Sequence, residues 1–236
     1  MTLMRYRGRS GQSYALMNVA ATTQLVVRLL AYNEPTTATR RSLVSTSAND
    51  TAAGTGARKV RIVYLDGYLD GPFSEDVILT GTTPVNTVAD DIRFIESLTV
   101  TEAGSSGANG GTISLMTGLT GAGTVIGQIL FYLGGFISSS WAHHYTPRGV
   151  ISHIGAISAG MALGPASTLA LRTSRRLSDP TNVTLASWRL SAASPSFSFY
   201  PAPAIQVVGP ARIDLVIAPD AATSGTIYAG FTWNDV

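Results

Sequence analysis

The acidic side chains of this 236-residue sequence gather around a pair of Asp-Gly turns: Asp66, Asp70, Glu75 and Asp76 fall in one short stretch. Asp-Gly-Tyr-Leu-Asp-Gly at 66–71 places several oxygen ligands near one another, a chemistry that suits Ca²⁺. It lacks the alternating acids and the closing Glu of a helix–loop–helix calcium loop. The simpler expectation is a hairpin turned by Asp-Gly. Three histidines occur, His143, His144 and His153. His143 and His144 are adjacent, so on a strand they point to opposite faces and do not share one ion. Packing or subunit contact is the expected use of these rings. Serines are abundant, yet no Gly-x-Ser-x-Gly elbow is present; Gly155-Ala-Ile-Ser-Ala-Gly160 is a loose echo in the wrong register. Gly54-Thr-Gly-Ala-Arg-Lys59 has neither the spacing nor the following Ser or Thr of a phosphate-binding loop. With no cysteine, thiolate metal sites, disulfides and Cys nucleophiles are excluded. No catalytic residue, metal or cofactor is implied, and the chain is expected not to be an enzyme.

The remaining chemistry is basic. Arg5-Tyr6-Arg7-Gly8-Arg9 interleaves arginine with an aromatic ring, a pattern that serves phosphate contact and stacking. Three arginines are too few for strong binding alone, so a tail docked on a partner is expected and nucleic acid is not. Arg5, Arg7, Arg9, Arg40 and Arg41 are the candidate inter-subunit contacts. Charge is segregated along the chain: nine basic and two acidic residues in 1–61, eight acids and Arg93 in 62–102, four arginines and no acid in 103–178, and net −2 in 179–236. Such segregation favours head-to-tail contact between copies. Charged residues are only 13% of the chain and hydrophobic ones 45%, against about 25% charged in an average soluble domain. A surface so poor in charge points to burial against other chains.

These residues must be carried by strands. Val60, Ile62 and Tyr64 alternate along one run, as do Ile213, Leu215 and Ile217, and Ile227, Ala229, Phe231 and Trp233. Shorter cases are Ile113 with Leu115, Leu169 with Leu171, and Phe197 with Phe199. Strands are expected at 58–65 and 74–80, with Gly and Pro clusters between the runs. Gln12–Ala21 and Val85–Ser97 are the only helix candidates; neither has an apolar stripe, so extended chain is favoured. Met1–Arg9 is basic, but no apolar run with a cleavage site follows, so no export signal is expected. Val125–Ile137 is too short to span a bilayer, and no membrane partner is expected. The expected architecture is all-β, a sandwich or jelly-roll-like fold, as one large or two packed sandwiches. An extended basic arm occupies 1–22, a first β region 23–118 and a second β-sandwich region 119–236.

A resemblance covers the chain from about residue 46 to the end. It is carried by Ser47-Ala-Asn-Asp-Thr-Ala-Ala-Gly-Thr-Gly-Ala-Arg-Lys-Val60 leading into Ile62–Asp66, by Glu75–Thr87, and by Gly104–Ile113. These runs resemble a sequence type found among virion proteins of tailed bacteriophages, including those of aquatic hosts. Tyr145-Thr-Pro147-Arg-Gly149 is similar to the Tyr-Thr-x-Pro-x-Gly entry to the β domain that often follows, one residue short before Pro147. The resemblance implies a capsid or tail component and no catalytic residues. Among these, an oligomeric decoration (cement) protein on the capsid surface fits best, a homotrimer by preference, partnered by the major capsid protein and by itself. A receptor- or glycan-binding fibre head with exposed Tyr64, Tyr68, Trp141 or Trp188, and a head–tail connector or tail component, are the alternatives.

Overall fold

The computed structural model describes residues 9–19, 25–26, 34–121, 123–131, 143–162, 167–174, 182–191, 193–219 and 225–236. Among them there are strands and turns but no helix, hence none long and apolar enough to cross a membrane. The chain is all-β. Its strands are β1 (Arg9–Val19), β2 (Leu25–Val26), β3 (Ser42–Ser45), β4 (Ala57–Leu65), β5 (Phe73–Ile78), β6 (Val85–Asn86), β7 (Phe94–Ala103), β8 (Ile113–Met116) and β9 (Val125–Ile129). There follow β10 (His143–Thr146), β11 (Ile151–Ala162), β12 (Ser167–Ser174), β13 (Asn182–Leu190), β14 (Ser196–Phe199), β15 (Ile205–Val208), β16 (Ala211–Pro219) and β17 (Gly225–Asp235). The two helix candidates are therefore extended: Gln12 to Val19 belongs to β1, and the 85–97 stretch holds β6 and the start of β7.

Two compact units result, Leu30–Ser139 and Met1–Leu29 with Ser140–Val236. Composition placed boundaries near 22 and 118; the chain divides instead where pairing partners change. β9 lies beyond residue 118 but pairs with β8, and β1 pairs along its whole length with β17 at the far end of the sequence. The segment expected as an extended basic arm is thus, from Arg9 to Val19, a strand of a sheet.

The discontinuous unit is a jelly roll, as its strand pairing shows. β1 pairs with β17, β2 and β10 with β16, β11 with β14 and β15, and β12 with β13, all antiparallel. The first strand meets the last, the second the next to last, and so inward. This is one long two-stranded ribbon. Rolled up, it gives two sheets, β1-β17-β11-β14 with β15 also paired to β11, and β10-β16-β12-β13 with β2 also paired to β16, the double-sheet arrangement of jelly rolls. β11 and β17 join the ribbon's pairs within one sheet, β12 and β16 within the other. The core lies between the sheets: Ile154, Ile157 and Ala159 of β11, Leu169 and Leu171 of β12, Ile213 and Leu215 of β16, Ala229 and Phe231 of β17. These are the alternating positions, since every second side chain of a strand faces the opposite sheet.

β2 and β10 are two pieces of one strand. Leu25 and Val26 pair with Ile217 and Val216; His143 to Thr146 then pair with Asp214 to Ala211. Only Leu215 falls opposite the break. The other unit is inserted there, in the middle of a strand. It is built from a four-stranded sheet, β6-β3-β8-β9, and a three-stranded sheet, β5-β4-β7. Leu43, Ile113, Leu115, Ile126 and Ile129 from the first sheet and Val60, Ile62, Phe94 and Leu98 from the second are buried. In β4 alternation holds as far as Val63, where a register shift against β7 lets Tyr64 and Leu65 both be buried.

Candidate functional site

The inserted unit is organised around Asp50, fully buried in the turn between β3 and β4. Its Oδ1 accepts the backbone N–H of Ala57 at 2.7 Å and of Gly110 at 2.7 Å; Oδ2 accepts the N–H of Gly111 at 3.0 Å and the Ser45 hydroxyl at 2.5 Å. The glycines follow from this. A Cβ on Gly56 would stand 2.1 Å from Asp50 Oδ1, and one on Gly111 would stand 2.7 Å from the Ser47 backbone nitrogen. The backbone after the glycines at 54–56 and the glycines at 110–111 together cradle the protein's own Asp50 carboxylate through the N–H groups of Ala57, Gly110 and Gly111. The backbone of Asp50 also accepts the N–H of Gly81, whose carbonyl receives Ser45 N–H. Runs at 45–57, 79–81 and 104–112, distant in sequence, therefore converge on one residue.

Asp66 in the β4–β5 turn and Glu75 and Asp76 in β5 are engaged within their own unit. Asp66 Oδ1 accepts the N–H groups of Tyr68 and Asp70, the ordinary Asx use of a turn aspartate. Glu75 accepts the N–H groups of Val88 and Ala89. Asp76 takes a forked pair of bonds from Arg61 at 2.7 and 2.8 Å; this hydrogen-bonded cation holds the Asp76 carboxyl below, and the carboxylate the guanidinium above, its usual range. Lys59, 3.0 Å from Glu102, likewise lowers the Glu102 carboxyl. The Tyr64 hydroxyl donates to Asp91 at 3.3 Å. Burial first, and then the charges of Asp91, Glu75 and Asp66, push that phenol up to about 12. Among the described residues no group of three acids or histidines is placed to hold a metal ion.

In the jelly roll the fold assembles a constellation that spacing did not disclose. His144 Nε2 lies 3.1 Å from Ser152 Oγ and 3.0 Å from Asp235 Oδ1; Ser152 Oγ donates to Asp235 Oδ1 at 2.5 Å and sits 2.8 Å from Thr146 Oγ1. The His144 ring stacks on Trp233 with centroids 3.9 Å apart. Residue types match a nucleophilic triad, but connectivity does not. In a triad the acid holds one imidazole nitrogen and the serine meets the other. Here serine and aspartate crowd the same nitrogen and bond to each other. All three side chains are buried, so no substrate reaches the hydroxyl. His144 comes from one sheet, Ser152 and Asp235 from the other. The cluster is a polar clamp across the sandwich, and it pins the C-terminal strand, whose Val236 exchanges two backbone bonds with Ile151.

The other singled-out residues have plain places. His143 is buried with its ring 5.3 Å from that of Tyr145. Gly155–Gly160 lies within β11, a strand and not an elbow. Trp188 is half-buried at the sandwich edge, stacked on Phe197 at 5.2 Å. Tyr64 is buried, so it offers no exposed ring; Trp141 lies outside the described residues. Arg41, a candidate inter-subunit contact, is 1% exposed. Its guanidinium donates to the carbonyls of Ile92 and Thr37, so it ties loop segments of its own unit together. Arg40 beside it is exposed. Arg9 opens β1, and Arg5 and Arg7 lie outside the described residues.

No protein-family model and no curated protein sequence matches the chain. Solved structures with some likeness are the crystal structure of the STIV MCP, with 8% identity and TM-score 0.24 over 97% of each chain, and a structure of infectious bursal disease virus Gx strain. The latter has 10% identity and TM-score 0.22 over 97% of this chain and 71% of that one.

Proposed function

We propose that this chain is a virion structural protein, not an enzyme, and in its most specific form an oligomeric decoration (cement) protein that bridges neighbouring subunits on a capsid surface. The observation that carries the reading is the nested ribbon of the jelly roll, with a second β unit inserted in the middle of one of its strands. Jelly rolls serve viral capsids and lectins among others, and a fold alone does not name a function. What tilts the choice is that the polar constellations found are turned inward. Asp50 and the His144–Ser152–Asp235 clamp build the fold and offer nothing to a substrate. Low charge supports assembly. The work is mechanical: strands and arms bury apolar area at subunit junctions, each contact small but repeated over a shell. Self-association as a trimer and contact with a major capsid protein belong to this proposal, with Arg40 and the residues that lead into β1 as contacts.

Localisation on purified particles tests it. Electron cryomicroscopy of the virion is expected to show many copies at three-fold or local three-fold positions. A few copies at one vertex would sink the decoration role, and absence from particles would sink the virion role altogether. A glycan-binding head is the second reading, favoured by Tyr68 and Tyr200, residues that are 72% and 73% exposed and whose rings combine apolar faces with a polar tip. Binding of the isolated protein to a glycan array, lost in Tyr68→Ala or Tyr200→Ala, would select it.

A further inference from the structure

One sheet of the jelly roll, β1-β17-β11-β14 with β15, is almost uncharged. Across its five strands the only charged residues are Arg9 and Asp235, which stand opposite one another at one end. Asp235 is turned inward into the clamp. By contrast, β4 of the inserted unit alone carries Arg58, Lys59 and Arg61. Ile157 and Ala159 of β11, Ala229 and Phe231 of β17 and Phe197 of β14 face the core. The alternate residues Ser158, Gly160, Tyr228, Gly230, Ser196 and Ser198 therefore lie on the outer face. That face is open to solvent: Tyr228 is 49% exposed, and Ser196 and Ser198 are exposed.

Register sets these residues in rows. Tyr228 stands opposite Gly160 and Gly160 opposite Ser196; Gly230 stands opposite Ser158 and Ser158 opposite Ser198. The Tyr228 ring lies across β11 at Gly160, where a Cβ would collide with its hydroxyl oxygen and Cζ. Glycine thus lets the ring lie low against the sheet with its other face toward solvent. Tyr200 continues the outward alternation of Ser196 and Ser198 just past β14 and is exposed. Two strands across and four residues along, the two tyrosines are about 16 Å apart by strand geometry. The floor between them is Gly160, Ser158 and the two β14 serines. Farther along the same face, Asn234 and Gln206 each stand opposite His153. Among the described residues, the side chains of Ser158, Ser196, Ser198, Gln206 and Asn234 make no hydrogen bond within the chain.

We infer that this face binds an extended, neutral oligosaccharide, with Tyr228 and Tyr200 as two stacking platforms and the serine row between them. The C–H face of a sugar ring packs on an aromatic face, while its hydroxyls both donate and accept hydrogen bonds. Serine hydroxyls and side-chain amides do the same, and here the chain leaves them free for a ligand. The outer positions of β17, β11, β14 and β15 hold no carboxylate, ammonium or guanidinium, so nothing on them pairs with a carboxylated or sulfated sugar. A second copy of the chain fits the face less well. A protein interface is anchored by buried apolar side chains, whereas the strip between the tyrosines offers glycine and serine, whose hydroxyls an apolar cover would leave unpaired. The inference rests on the glycan-binding reading above and gives it a site; it does not depend on where the protein sits in a virion.

The test exposes the isolated full chain to an array of neutral hexose and N-acetylhexosamine sugars, from single units to hexasaccharides, with sialylated and sulfated oligosaccharides beside them. Neutral oligosaccharides should bind, single sugars far more weakly. Binding should change little as salt rises from ~0.01 M to ~1 M, although the screening length falls from about 30 Å to about 3 Å. Tyr228→Ala and Tyr200→Ala should each weaken it roughly tenfold, the effect of one stacked ring, and Tyr228→Phe should retain most of it. Tyr68→Ala, in the inserted unit, should leave it unchanged. Circular dichroism melts like that of the parent show that the variants are folded. Should Tyr228→Ala unfold, Ser198→Arg, at an exposed position, blocks the strip and should give the same loss. Binding that survives changes at Tyr228, Tyr200 and Ser198 but is lost in Tyr68→Ala would keep the glycan reading and overturn this site. Binding of acidic glycans alone, binding of no glycan, or self-association abolished by Tyr228→Ala would overturn it as well.

Discussion

Replacing Asp50 by alanine removes the acceptor of three backbone N–H groups and one hydroxyl, all inside the inserted unit. Each buried donor left without a partner costs about 1–3 kcal/mol. Three N–H groups alone set a range of about 3–9 kcal/mol, and water entering the space left by the carboxylate brings the expected loss to the lower part, about 3–5 kcal/mol. A domain has only about 5–15 kcal/mol in hand, so the unit should lose a large share of its stability. Asp50→Asn keeps the shape but turns an amide N–H₂ toward donors, and should fall between parent and alanine. Urea unfolding followed by far-ultraviolet circular dichroism reads the loss. The three tryptophans, 141, 188 and 233, all fall outside residues 30–139, so tryptophan emission gives a control transition expected to stay in place. A circular dichroism midpoint for Asp50→Ala within about 1 kcal/mol of the parent would refute the claim that the carboxylate holds these loops.

In the jelly roll, Asp235→Ala should destabilise by about 2–4 kcal/mol, because Ser152 and His144 lose a shared buried acceptor; here tryptophan emission should register the earlier transition. Tyr64 gives a pH dependence whose sign is set by its raised value of about 12. An unfolded tyrosine ionises near pH 10. Above that pH the unfolded chain gives up a proton that the folded chain keeps, so stability is full below about pH 10 and falls as pH rises toward 12. Urea midpoints measured on either side of pH 10 should show this fall, and Tyr64→Phe should lessen it. Because the insertion begins and ends at one break in a strand, residues 30–139 expressed alone should unfold cooperatively in urea, and a gradual, non-cooperative loss of signal would count against an independent unit.

Much of the strand content was legible in the sequence. Val60, Ile62 and Tyr64, Ile213 and Leu215, and Ala229 and Phe231 alternate because a half-buried strand buries every second residue, a local rule that needs no partner. The Asp-Gly turns and the absence of thiol chemistry were likewise local facts. What the sequence could not show was which strand pairs with which. β1 reads as part of an extended basic arm until β17, at the other end of the chain, supplies its hydrogen bonds. Composition suggests a division near residue 118, but β9 crosses it to pair with β8. Arg41 reads as a surface contact beside Arg40, yet the carbonyl of Ile92, fifty-one positions away, draws it inside. The glycines at 54–56 and 104–111 are visible as loops, but their common purpose appears only when Asp50 stands between them. His144, Ser152 and Asp235 have no spacing to notice, since they meet from three strands of two sheets. Local periodicity is written in neighbouring residues, and so the sequence by itself determined an all-β chain. Pairing and the burial of single polar groups depend on long-range closure of the ribbon, and only the tertiary structure decided them.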